Sequence, residues 1–226
     1  MSFTIAVDGP AGAGKSTIAK AVAKRLGMIY VDTGSMYRAM ALFMVRKGVD
    51  LQDTESIAEN CEDVDITIRY EDGVQVVYLN GENVNALLRT EAVGNAASAV
   101  SAVGAVRKKL VWLQQKLASE SDCIMDGRDI GTCVLPNADR KIYLTASSDV
   151  RAKRRYEELT AKGETCDLAK IKADIEERDY RDMHREISPL KKAEDAILLD
   201  SSDLTIEEVI DAMIRICSDK DGAPKA

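Results

Sequence analysis

Aromatic residues are scarce in this chain: two Phe, seven Tyr and one Trp among 226 positions. That excludes the stacking platforms with which single-strand nucleic-acid binders hold bases. Basic excess is also lacking. With 31 Lys and Arg against 38 Asp and Glu, the formal net charge is −7, the wrong sign for a partner of a phosphate backbone. No apolar run approaches a membrane span, and the N-terminus shows no basic segment leading into an apolar stretch and a cleavage site. The one histidine, His184, sits in a charge-rich run, so a Ser-His-Asp site is hard to build. The five cysteines (Cys61, Cys123, Cys133, Cys166, Cys217) fall in no CxxC or Cys/His spacing, which argues for reduced thiols and against zinc. Repeats and low-complexity tracts are absent too. These absences leave the expectation of a soluble, cytoplasmic, globular protein with no nucleic-acid or membrane partner. With no apolar stripe left over for a second copy, it is expected to be a monomer.

What is present begins with alternating strand and helix signals. Phe3–Asp8 is a short β-branched apolar run, and Lys15–Leu26 an Ala-rich helical pattern stopped at Gly27. Met28–Val31 reads as a second strand and 34–47 as a second helix ended by Gly48. Such a βαβ unit implies a parallel sheet. Cys123–Asp126, Lys141–Leu144 and Ala196–Asp200 continue the pattern, each expected to lead into a helix. The middle breaks it. Val64–Tyr70 alternates, Glu71–Gly73 turns and Val74–Leu79 returns, the signature of an inserted antiparallel hairpin. Helical stretches follow at about 90–103 and 106–119. Thr205 and Glu208 form a capping box before the last helix, and residues 219–226 read as a loose tail.

Gly9, Pro10, Ala11, Gly12, Ala13, Gly14, Lys15 and Ser16, followed by Thr17, fit G-x-x-x-x-G-K-[ST] at every fixed position, between a predicted strand and a predicted helix. The spacing serves a purpose. Glycines let successive backbone N–H groups converge on phosphate oxygens, and the helix N-terminus adds positive potential. Lys15 reaches the outer phosphates, and the Ser16 hydroxyl can ligate Mg²⁺. The chain is expected to bind a nucleoside triphosphate. Asp126 ends an apolar run before Gly127, where parallel sheets place ligands, and is a candidate to steer the Mg²⁺ shell through water.

Residues 151–192 hold twelve basic and ten acidic side chains, against the acidic balance of the rest. Arg151, Arg154 and Arg155 have the spacing of one helical face, as do Arg178, Asp182 and Arg185. Arginine suits phosphate because its planar fork is bidentate and always charged. Phosphoryl transfer between two polyanions needs such a clamp. No Asn-Lys-x-Asp run marks a guanine reader. The residues alone leave open a kinase for a phosphate acceptor, a kinase for a hydroxyl acceptor such as shikimate with Asp32 as base, and a nucleotide-dependent switch.

One resemblance covers nearly the whole chain. The run Ile5–Thr17, Asp32-Thr-Gly-Ser-Met-Tyr-Arg38, Asn95-Ala-Ala-Ser98, Asp126-Gly-Arg-Asp-Ile-Gly-Thr132 and Arg178-Asp-Tyr-Arg-Asp-Met-His-Arg185 are similar to the motifs of the bacterial cytidylate kinases. The resemblance implies an α/β P-loop three-layer fold with a five-stranded parallel sheet, a helical lid and an antiparallel β insert. It implies a single nucleoside monophosphate kinase domain: core at 1–33, 104–147 and 186–218, acceptor subdomain at about 34–103, lid at about 148–185. The implied reaction moves the γ-phosphoryl of Mg·ATP to CMP or dCMP. Acceptor-site residues would be Asp32, Thr33, Tyr37, Arg38, Ser98, Arg107, Arg128, Asp129, Arg178, Asp182 and Arg185. Arg38 and Arg128 would grip the acceptor phosphate. Ser98, Arg107 and Asp129 would read the cytosine edge, and Arg178 and Asp182 the sugar hydroxyls. Lys15, Arg128, Arg154 and Arg155 would act on the transferred group, and Arg151 would serve ATP. Ala11 and Thr33 stand where the family also uses serine; Ala11 removes a hydroxyl from the acceptor-phosphate side.

Overall fold

The computed structural model describes residues 2–218, so the tail expected at 219–226 lies outside the described residues. Strand β1 (Thr4–Asp8) leads into α1 (Lys15–Leu26), then β2 (Ile29–Asp32) into α2 (Thr33–Lys47) and α3 (Thr54–Cys61). An antiparallel stretch follows: β3 (Ile66–Glu71), β4 (Val74–Leu79) and β5 (Glu82–Asn83), then a 3-10 turn at Asn85–Leu87. Helices α4 (Glu91–Val100) and α5 (Gly104–Glu120) precede β6 (Cys123–Gly127), a π turn (Ile130–Val134) and β7 (Arg140–Thr145). Helices α6 (Ser148–Ala161) and α7 (Leu168–His184), strand β8 (Ile197–Asp200) and helix α8 (Ile206–Ser218) complete the chain.

These elements build the parallel sheet and the separate antiparallel sheet that the sequence predicts. The first has five strands in the order β2-β6-β1-β7-β8, and the second has the order β3-β4-β5. Strand β1 is central, and Ile5, Ala6 and Val7 are wholly buried, as a strand covered on both faces requires. The hairpin turns Asp72–Gly73 and Asn80–Gly81 have both residues at positive φ (50° and 75°, 49° and 83°), the type I′ geometry that matches strand twist.

Three features depart from the sequence expectation. Strand β6 runs into the π turn instead of an α-helix. Cys133 N and Val134 N donate to Asp129 O and Leu135 N to Ile130 O, and Pro136, which has no N–H, follows at once. Strand β5 is unread in sequence because its two residues, Glu82 and Asn83, are exposed and polar. Helix α3 is short and held by its cap: Asp53 Oδ1 accepts from Glu55 N and Ser56 N. The predicted box before α8 is present, with Glu208 Oε2 accepting from Thr205 N at 2.9 Å and Thr205 Oγ1 accepting from Glu208 N at 3.3 Å.

The chain divides into two units. One consists of Ile29–Ser121 with Ser2; its core includes the wholly buried Met36, Met40 and Met44 of α2 with Ile57, Val84, Val100 and Leu110. The other consists of Phe3–Met28 and the described residues from Asp122 to Ser218; β1, β6 and β7 fill its centre with Ile5, Ile124, Met125, Ile142 and Leu144.

Candidate active site

In the unit that contains β1, the phosphate loop leaves the strand at Gly9 and enters α1 at Lys15. Gly9 has φ 148°, and a Cβ there would lie 2.0 Å from Leu144 O, so only glycine lets the loop pass β7. Lys15 is buried, and its Nζ donates to Gly9 O at 2.8 Å and Pro10 O at 2.7 Å. Burial and the Arg128 guanidinium hold its ammonium well below the usual lysine range, against the pull of Asp126, Asp8 and Asp182. Parallel pairing sets Val7 beside Asp126, which brings the end of β6 to the loop. There Ser16 Oγ donates to buried Asp126 Oδ2 at 2.9 Å.

Asp8, which the sequence reading passed over, links this loop to the π turn. Its buried carboxylate accepts from Ile130 N and Gly131 N, each at 2.7 Å. Burial raises its pKa to about 6; the two N–H donors oppose this, and Asp129 adds to it. Its place before the first P-loop glycine was the available signal.

The segment after β6 meets the C-terminal half of α7. Arg128 Nε donates to Asp182 Oδ2 at 2.8 Å, and Arg185 Nη2 lies 3.4 Å from Asp129 Oδ1. Four of the residues picked from sequence thus form two adjacent ion pairs; Arg178 lies exposed on α7, one turn before Asp182. The arginines of α6 take three separate partners. Arg151 is buried, pairs with Asp179 at 2.6 Å, and donates to Ala11 O at 2.9 Å and Ala146 O at 2.8 Å. Asp179 Oδ1 also accepts from Ala11 N at 3.3 Å. Arg154 donates to Ser201 O at 2.7 Å after β8, and Arg155 makes an exposed pair with Glu158 at 2.8 Å. Asp179 carried no sequence signal beyond its place between Arg178 and Arg181.

In the other unit, Asp32 closes β2 and caps α2, its Oδ1 accepting from Ser35 N at 2.9 Å. Arg38, one and a half turns on, returns its Nη2 to Asp32 Oδ2 at 2.9 Å. Gly34 makes room, since a Cβ there would lie 3.1 Å from Arg38 Nη1 and 3.2 Å from Asp32 Oδ1. Thr33 is buried at the first turn. Buried Arg107 sits 5.6 Å over the Tyr37 ring and donates to Ser101 O at 3.4 Å. Ser98, on α4, accepts through its carbonyl from Ser101 Oγ at 2.9 Å.

A P-loop between strand and helix of a parallel sheet, flanked by arginine–carboxylate pairs, defines the class as a P-loop phosphotransferase. The family comparison narrows it: the cytidylate kinase model matches residues 5–219, and the chain belongs to that family. It is 50% identical over 216 residues to a cytidylate kinase of Lactobacillus johnsonii, covering 96% of this chain and 94% of that protein. It is 46% identical over 221 residues to one of a Geobacillus species, covering 98% and 99%. Among solved structures, TT1252 from Thermus thermophilus superposes with TM-score 0.50 at 15% identity over 96% of both chains, a likeness of fold.

Proposed function

We propose that this chain transfers the γ-phosphoryl group of Mg·ATP to CMP or dCMP, giving ADP and CDP or dCDP, as a cytoplasmic monomer of pyrimidine nucleotide metabolism. The observation that carries this reading is the P-loop with Lys15, accompanied by the Arg128–Asp182 and Arg185–Asp129 pairs, in a chain of the cytidylate kinase family.

Both reacting ends are anions, so the acceptor needs no general base to lose a hydroxyl proton. The work is alignment and charge neutralisation. Loop amides and the α1 N-terminus hold the donor phosphates. Lys15 has three donor protons; two lie on loop carbonyls, and the third serves a phosphate oxygen. Arg38 and Arg128 take the acceptor phosphate, Ser98, Arg107 and Asp129 read the base, and Arg178 and Asp182 meet the sugar. Arg185 supports Asp129. Arg155, held among the described residues by an exposed pair with Glu158, turns to the transferred group at little cost, and Arg154 follows from the same helix.

The residues fit a magnesium ion: the Ser16 hydroxyl and Asp126 carboxylate are hard oxygen donors at the loop. Among the described residues no group of three or more His, Cys, Asp or Glu forms a metal cage, so phosphate and water oxygens would supply most ligands. Bound there, the ion would neutralise charge on the transferred phosphoryl.

The test is ADP release from Mg·ATP with CMP, dCMP, UMP, AMP, GMP, shikimate or no acceptor. Turnover favouring CMP and dCMP is expected, with Ser98→Ala and Asp129→Ala relaxing the preference over UMP. Acceleration by shikimate alone, or slow release indifferent to every acceptor, would overturn the reading.

A further inference from the structure

The hairpin of β3 and β4 ends two of its side chains on the corner that carries Asp32. Tyr70 and Gln75 oppose each other directly in the antiparallel register, so they leave the same face. The Tyr70 hydroxyl donates to Tyr30 O at 3.1 Å. Gln75 Oε1 accepts from Asp32 N at 2.8 Å, while Nε2 donates to Ser35 Oγ at 2.8 Å and to Asp32 O at 3.3 Å. Asn85 braces the donor strand: its Nδ2 donates to Gln75 O at 3.2 Å and its Oδ1 accepts from Val77 N at 2.9 Å. From Tyr30 to Ser35 the chain changes from strand to helix, where backbone groups leave one ladder before joining another. Tyr70 and Gln75 partner three of those groups: Tyr30 O, Asp32 N and Asp32 O.

We propose that Tyr70 and Gln75 are positioning residues for the acceptor arm, fixing the strand-to-helix corner so that Asp32 aims the Arg38 guanidinium at the acceptor phosphate. This rests on the phosphate-gripping role given to Arg38 above. Arg38 meets Asp32 through Nη2, and its buried Nε has no hydrogen-bond partner among the described residues. The aim of the fork therefore depends on one carboxylate, and the place of that carboxylate on the corner. Packing alone does not account for Gln75. It is half-buried beside the buried Val76 and Val77, and an aliphatic side chain would fill its space; its amide instead has all its contacts on one corner.

Steady-state kinetics of wild type, Gln75→Met and Tyr70→Phe test this, with thermal melting alongside. Gln75→Met is expected to raise KM for CMP about tenfold, with KM for ATP within about twofold of wild type, because only the acceptor arm moves. Tyr70→Phe deletes one oxygen, keeps the ring, and shifts KM for CMP about threefold in the same direction. A lowered melting temperature with unchanged KM for CMP in both variants would reduce the pair to a structural role and overturn the proposal, as would equal shifts in KM for CMP and ATP. Wild-type chain that phosphorylates no CMP would instead sink the functional reading on which the proposal stands.

Discussion

Arg151 and Asp179 meet at 2.6 Å, both buried, and between them hold the carbonyl and the N–H of Ala11. The middle of the phosphate loop is thus set by two helices far along the chain. Removing either partner leaves the other's charge buried without compensation. Arg151→Ala or Asp179→Ala is expected to cost about 3–5 kcal/mol in urea unfolding and to raise KM for ATP more than KM for CMP. The paired replacement Arg151→Met with Asp179→Leu should recover much of the stability while KM for ATP stays high. Recovery of both would mean that the ion pair only packs the unit.

Two glycines at positive φ separate steric from conformational need. Gly9→Ala places its Cβ 2.0 Å from a β7 carbonyl, whereas at Gly163 (φ 79°) nothing lies within 4 Å. Gly163→Ala should cost only the left-handed strain, about 1–2 kcal/mol. Gly9→Ala should displace the loop and abolish retention on an ATP-analogue resin. Circular dichroism and resin retention of the two variants make the comparison.

Asp8 gives stability a pH dependence of unusual sign. Its folded pKa of about 6 lies above the ordinary 3.8, so the native chain holds that proton more tightly than the unfolded chain does. Its contribution is fully present below about pH 4 and is lost as pH rises through about 6, at most about 3 kcal/mol. Asp8→Asn should lack this falling limb. Chemical denaturation of both proteins between pH 4 and 8 reads the difference in slope, and parallel profiles would refute the assignment.

Gln114 is a buried amide on α5 whose Oε1 and Nε2 have no hydrogen-bond partner among the described residues. An unsatisfied polar group in that setting costs about 1–3 kcal/mol. Gln114→Leu, close in volume, should raise the urea midpoint with kcat unchanged. A lower midpoint would show that the amide is satisfied in solution.

Much of this was readable because it is local. The P-loop, its flanking strand and helix, the Gly27 and Gly48 stops and the hairpin turns are written within a few residues of where they act. The pairing of Asp129 with Arg185 and of Arg128 with Asp182 was not legible: the resemblance names these residues only as substrate contacts, while in the structure they hold each other. What escaped depends on partners distant in sequence. Asp8 reaches amides at 130 and 131, Asp179 reaches Ala11, and Gln75 reaches Asp32. No period or spacing records such a meeting. The π turn after β6 belongs to the same group, since the carboxylate that receives its first amides lies on β1.

The strand order also governs when the cradle can exist during synthesis. β1 is made well before its partners, β6 about 120 positions later and β7 beyond it. A nascent chain emerging from the ribosome carries its phosphate loop exposed and unsupported until residue 145 has cleared the tunnel, while the hairpin of β3 and β4 can close locally long before. β1 is therefore made long before it can be built into the sheet, and any nascent chain arrested before β7 emerges presents a glycine-rich loop with no sheet behind it.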